Sequence, residues 1–170
     1  MLDVYLQLLE LDYFELSEAF KGLQDDHVWV RPAEGLLSIG ELAGHVAYWE
    51  ATRFAGEMDA DGRPDLSKCK ISSPLIDHRF AYFTTTIQQT GVDERIHMPA
   101  EWVGKELTRI HRESVGHLKA LNPDLNAHVP GWGSHWTWGE SIRYTIFHVA
   151  YHTGQIYTAR HLLGEETPDN

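Results

Sequence analysis

Two histidines, His148 and His152, stand four residues apart in a stretch without proline, residues 137–164. On a helix that spacing stacks both imidazoles on one face, one turn apart, with their side chains leaning the same way. Imidazoles so placed can take adjacent positions on one metal ion, with bonds of about 2.0–2.1 Å for zinc. The pair alone is a weak signal. With 11 histidines in 170 residues, chance supplies about 0.7 such pairs. Two histidines packed beside a core and hydrogen-bonded to neighbours is the bland alternative.

A second stretch strengthens the metal reading. Residues 38–50 read S-I-G-E-L-A-G-H-V-A-Y-W-E, and His45 to Tyr48 repeat the His-Val-Ala-Tyr found at His148 to Tyr151. A four-residue identity within one chain of this length arises by chance in about one case in ten, so a degenerate internal repeat is worth considering. Trp49 takes the place that His152 holds in the other copy. One segment therefore offers one imidazole and the other offers two.

Both segments carry helix-start chemistry. Ser38 with Glu41, and Thr137 with Glu140, are spaced as capping boxes. Gly164, followed by Pro168, marks the end of the second helix. The first is expected to run from Ser38 to about Met58, with Glu41, His45, Tyr48, Trp49 and Thr52 facing inward. Glu41 either spends its carboxylate in the capping box or orients an imidazole from one turn away.

With these residues in view, the chain resembles the DinB/YfiT-like superfamily of metalloenzymes. The resemblance rests on Ser38-Ile-Gly-Glu-Leu-x-x-His45, on His148-x-x-x-His152-x-Gly154-Gln155-Ile156, and on Leu163-Gly164. Members commonly read His-Arg-Gly-Gln, whereas Thr153 replaces the arginine here. Position 153 lies about 140° around the helix from 148, which leaves the ligand face untouched. The resemblance implies an up-down-down-up bundle, often a homodimer, with His45, His148 and His152 as metal ligands. It also implies activities that include transfer from low-molecular-weight thiols.

Three neutral imidazoles leave a divalent ion its full charge and an open position, the ligand count of catalytic rather than structural zinc. An all-nitrogen set suits zinc, nickel, cobalt or iron alike; zinc or nickel is the expectation, with iron or cobalt as alternatives. Such an ion activates a thiol or water at neutral pH. S-transfer on a small-molecule substrate is the leading expectation. Metal-dependent hydrolysis and a metal-holding stress-response protein without turnover are the alternatives. No catalytic side chain beyond the ligands is assigned. Tyr48, Trp49, Tyr151, Gln155 and Trp136 are candidates for a substrate pocket, with packing as their other role. Trp132, Trp136 and Trp138 fall within seven residues of one another, as a pocket wall, a plug or a subunit interface.

The other elements must position these groups. Residues 2–22 read as an amphipathic helix with an acidic polar face, which fits bundle packing better than a membrane surface. Residues 23–37 are a loop, in which Asp26 and His27 are solvated and Trp29 plugs the bundle end. Residues 59–98 form a long crossover, with a shorter helix expected at 74–89 after the Ser73-Pro74 start signal. Within it, Asp77-His78-Arg79 is taken as a solvated face. Residues 100–121 form a further amphipathic helix. There His111 and His117, six apart, do not share a face and are left out of the ligand set. Residues 122–136 return as a loop. The fold class is all-α: a four-helix bundle with an extra helix in the crossover, residues 1–170 as one domain.

Composition bounds the partners. Net charge is −11 with no cluster of Arg and Lys, which opposes nucleic-acid binding. No apolar run nears the roughly 20 residues that span a bilayer, and no signal peptide is read. The lone Cys69 excludes an internal disulfide and fits a reducing cytoplasm. It is read as a surface thiol rather than a nucleophile.

Overall fold

The computed structural model describes residues 2–82, 97–132 and 136–168. Its helices are α1 (Leu2–Glu18), α2 (Ile39–Ala55), α3 (Ala100–Leu121) and α4 (Trp138–Leu162). A two-residue ribbon, β1 (Glu57–Met58) with antiparallel β2 (Pro64–Asp65), follows α2.

Both capping boxes form. The Ser38 side chain accepts from Glu41 N–H, and the Thr137 side chain accepts from Glu140 N–H; each glutamate in return accepts from its cap's backbone. Asn122, in the left-handed region at φ 41°, ends α3, and Gly164 at φ 79° turns the chain after α4. Two ends come earlier than the sequence suggests. α2 stops at Ala55 rather than Met58, because Gly56 turns extended and residues 57–58 pair with β2 instead. α1 stops at Glu18, with turns leading to Gly22 at φ 68°.

The expected helix at 74–89 is a correction. Over its described part, residues 74–82, the chain makes turns and a 3-10 segment at His78–Phe80. Asp77 caps Arg79 N–H from an extended backbone, which starts a single tight turn. Residues 83–89 lie outside the described residues.

The four helices form a bundle whose directions can be read from their contacts. Tyr157 and Arg160 near the end of α4 reach Glu15 and Ala19 at the end of α1, so α1 and α4 are parallel. Arg53 near the end of α2 meets Thr145 near the start of α4, while His45 meets His148, so those two are antiparallel. Trp29 packs on Gly40 and donates to the Met98 carbonyl, placing the starts of α2 and α3 together. That is an up-down-down-up order. α2 is the central element: every residue but Trp49 is buried, against a core that draws on all four helices. Gly40 and Gly44 permit this. A Cβ on Gly40 would sit 2.5 Å from the Trp29 ring, and one on Gly44 2.6 Å from the Phe80 ring. Among the described residues, no helix is long and apolar enough to cross a membrane.

Candidate metal centre

α2 and α4 cross with their histidines at the same level. His45, His148 and His152 are all buried, at 8, 6 and 8% exposure. Each offers a ring nitrogen, and the three nitrogens lie within 4.8 Å of one another. His148 and His152 share a face of α4 with ring centroids 4.4 Å apart, as the i,i+4 spacing requires.

Hydrogen bonds set the tautomers. His45 Nδ1 lies 2.8 Å from the Phe80 carbonyl oxygen, which can only accept, so the proton is on Nδ1 and the Nε2 lone pair is bare. His152 Nδ1 lies 2.6 Å from Gln155 Oε1, which fixes its proton in the same way. Gln155 is itself oriented by donating to the Tyr151 hydroxyl at 3.1 Å. This backing of a ligand imidazole by a carbonyl or amide oxygen is the usual support for a metal-binding histidine.

The residues fit a divalent ion. His45 Nε2 and His148 Nε2 stand 3.1 Å apart. Two nitrogens on one tetrahedral ion with bonds of about 2.0–2.1 Å are about 3.3 Å apart. Charge points the same way. Burial, then the neighbouring imidazoles, push the His148 pKa down to about 2. Burial first and then His152 push His45 down to about 4. His152 is also lowered, by burial. All three rings are therefore neutral near pH 7, the form that donates a lone pair.

A cavity of about 390 Å³ opens on His45 and His152, walled by Pro32, Leu36, Leu37, Leu162 and Tyr82. Tyr151 and Gln155 line it, as the sequence suggests for a pocket. Tyr48 and Trp49 instead line a larger space of about 1250 Å³, which has Tyr82 in common with the first. Trp49 still touches the centre, edge-on to His45 at 6.4 Å between centroids. Trp136 is one step removed: its ring meets Tyr144, whose ring stacks on His148 at 6.0 Å. Trp138 is buried in the core at the start of α4, and Trp132 packs beside Arg53.

Other expectations sort themselves by contact. Glu41 is spent on its capping box and on Arg31, and it accepts from the Tyr82 hydroxyl at 3.0 Å; it does not back an imidazole. Burial of Glu41 is offset by its hydrogen bonds to Arg31 and Ser38, which leave its pKa below the usual carboxylate range. His27 is not solvated but pairs with Glu165 at 2.7 Å. His111 pairs with Glu50 at 3.1 Å, away from the centre. Cys69 is half-buried, and burial raises its thiol pKa, the opposite of activation. His78 is exposed as expected, with its Nδ1 3.2 Å from the Tyr48 hydroxyl.

Sequence reasoning passed over Phe80, Tyr82 and Arg53. Phe80 contributes a backbone carbonyl, for which residue type carries no signal. Arg53 lies two turns after His45 on α2, at i+8, and that spacing was a signal available in the sequence.

A family model for the DinB superfamily matches residues 8–156. No curated protein matches the chain.

Proposed function

This chain belongs to the DinB superfamily, and we propose that His45, His148 and His152 hold a divalent metal ion, zinc or nickel, at which a small thiol is activated for transfer to an electrophile. The observation that carries the reading is the convergence of three neutral, buried imidazole nitrogens within 4.8 Å, with two of the rings held from behind by oxygen acceptors. An ion held by three neutral ligands supplies undiminished positive charge and an open position, which favours the deprotonated, nucleophilic form of a thiol.

The chain's own residues supply the rest. Phe80 and Gln155 lock the His45 and His152 rings so that their lone pairs face inward. Pro32, Leu36, Leu37 and Leu162 make the mouth apolar, which keeps water away from the reacting atoms and strengthens electrostatic interactions there. Tyr151 presents a hydroxyl at the same mouth, where it can hydrogen-bond a substrate. The only cysteine is Cys69, whose raised pKa opposes a nucleophilic role. The sulfur nucleophile therefore comes from a small molecule.

The test is elemental analysis of tag-free protein beside His45→Ala and His148→Ala, followed by assay of each with small thiols and an electrophile. About one metal per chain in the wild type is expected, lost in both variants together with conjugation. Full metal content in either variant removes that histidine from the set. Turnover of esters or amides without thiol transfers the site to hydrolysis. Bound metal with neither activity leaves a metal-holding protein.

A further inference from the structure

Arg53 is a buried cation without a carboxylate partner among the described residues. It is 7% exposed. Its guanidinium carbon lies 4.6 Å from the Tyr144 ring centroid, 5.3 Å from Trp132 and 5.4 Å from Trp49. Nη1 makes one long hydrogen bond of 3.4 Å to Thr145 Oγ1, and Nε is buried with no partner. Burial pulls its pKa down to about 10, so it remains charged at neutral pH. Ring faces attract the cation, the Tyr144 hydroxyl is a hydrogen-bond partner and Glu50 acts on it from a distance, but none of these gives Nε an acceptor. A buried charge with unused donors costs free energy that an anion would offset.

Its position ties it to the histidines. Trp49 lies against both Arg53 and His45. Tyr144 lies against both Arg53 and His148. A divalent ion on the histidines would add a second positive group to the same interior. The space beside Arg53, about 740 Å³, shares Trp132, Met58 and Gly131 with the larger cavity lined by Trp49.

We propose that Arg53, held between Trp49, Trp132 and Tyr144, recognises a carboxylate on the small molecule that reacts at the three-histidine site. The proposal rests on the metal-site reading for where the remainder of that molecule lies. The chemistry favours a carboxylate over a phosphate. A guanidinium fork pairs with either, but one cation with no further donor beside it balances the single charge of a carboxylate and not the roughly two of a phosphate. Thr145 cannot add a donor, because its hydroxyl proton is spent on the Ser141 carbonyl at 2.9 Å.

The experiment titrates metal-free and metal-loaded protein with 3-mercaptopropionate and with its methyl ester, following tryptophan fluorescence, since Trp49 and Trp132 flank the guanidinium. The acid is expected to bind about tenfold more tightly than the ester, in both forms of the protein. That preference is expected to vanish in Arg53→Gln. Arg53→Lys, which keeps the charge and the buried stem, carries the test if the glutamine variant melts early; there the preference is expected to shrink without vanishing. Equal binding of acid and ester, a preference unchanged in the variants, or no saturation by the acid overturns the proposal. Competition by chloride or inorganic phosphate as strong as that by propionate means a site for simple anions and overturns it as well. A preserved acid preference in protein that takes up no zinc or nickel when either is added breaks only the metal reading. Thiol binding at a loaded metal with no acid preference breaks only the Arg53 assignment.

Discussion

His45 Nε2 and His148 Nε2 face each other across 3.1 Å, carried by two helices that run in opposite directions. His45 has its proton on Nδ1, held by the Phe80 carbonyl, so its Nε2 brings a lone pair to that gap. Two lone pairs at this distance repel unless a proton or a cation lies between them. Without metal, His148 must place its proton on Nε2; with metal, the ion takes both lone pairs. The fold thus holds the imidazoles close before any ion arrives, and the groups behind the rings decide how well they stay aimed.

Gln155 is the side chain whose loss reads that aiming most directly. Its Oε1 accepts from His152 Nδ1 at 2.6 Å, and Gln155 is half-exposed, so truncation leaves no buried void. Gln155→Ala is expected to weaken metal binding by about 10–100-fold while leaving the melting temperature nearly unchanged. Competition with a metallochromic chelator measures it. Unaltered affinity would mean that His152 needs no support, or that it is not a ligand.

Acid stability of the metal-free protein follows from burial of the same rings. His45 has its pKa lowered from 6.5 to about 4, mainly by burial, and His148 is lowered further. A base whose pKa is depressed by folding binds its proton more readily in the unfolded chain. Its contribution to stability is therefore full above pH 6.5 and is lost as pH falls toward 4. His45 alone accounts for about 3 kcal/mol across that window. Denaturant melts of metal-free protein from pH 7.5 to 4 are expected to show this fall, with a shallower slope in His148→Leu. A flat profile above pH 5 would show that the rings are solvated.

Gly44 connects packing to the centre. A Cβ there would stand 2.6 Å from the Phe80 ring, and the Phe80 carbonyl is what holds His45. Gly44→Ala is expected to cost about 1–3 kcal/mol by overpacking. It should also weaken metal binding by about tenfold as the carbonyl moves. Gly116→Ala is the matched control on α3: its Cβ meets nothing within 4 Å, so a gain of about 0.4–1 kcal/mol is expected. Chemical denaturation and the chelator assay together separate the two. A Gly44→Ala protein as stable as wild type would mean that Phe80 can swing aside without cost.

The sequence carried what is local. Ser38 with Glu41 and Thr137 with Glu140 announce two helix starts because a capping box is written within four residues. Once those starts are known, the spacing of His148 and His152 fixes their shared face. What it did not carry lies between distant segments. The Phe80 carbonyl reaches His45 across 35 residues, and Arg160 reaches the end of α1 across 141. The helix expected after Ser73-Pro74 gives way in its described part because Asp77 caps Arg79 N–H and makes a 3-10 turn. Start signals of that kind do not by themselves say how many turns follow. Glu41 shows the converse. Its part in the capping box was legible, but its pairing with Arg31 and Tyr82 required the folded loop.

Arg160 gives a prediction for stability apart from the centre. It is 1% exposed, with Nη1 donating to the Ala19 and Lys21 carbonyls at 2.8 and 3.0 Å and Nη2 to the Glu166 carbonyl at 2.9 Å. Its Nε meets Glu165 at 3.1 Å, and Glu165 also accepts from Gln24 N–H. One guanidinium thus joins the end of α1, where carbonyls are left unpaired by the helix, to the segment after α4. Arg160→Met keeps the apolar stem but leaves those carbonyls unpaired and takes the guanidinium from a buried carboxylate that retains only His27 and the Gln24 N–H. The expected loss is about 3–5 kcal/mol, or a fall in melting temperature of about 10 °C for a chain of this size. Metal content per folded chain should be unchanged, because none of these contacts touches the histidines. Arg160→Met/Glu165→Leu should recover part of the loss, since that carboxylate is then gone. A double variant no more stable than the single one would show that the α1 carbonyls, rather than the ion pair, account for the cost.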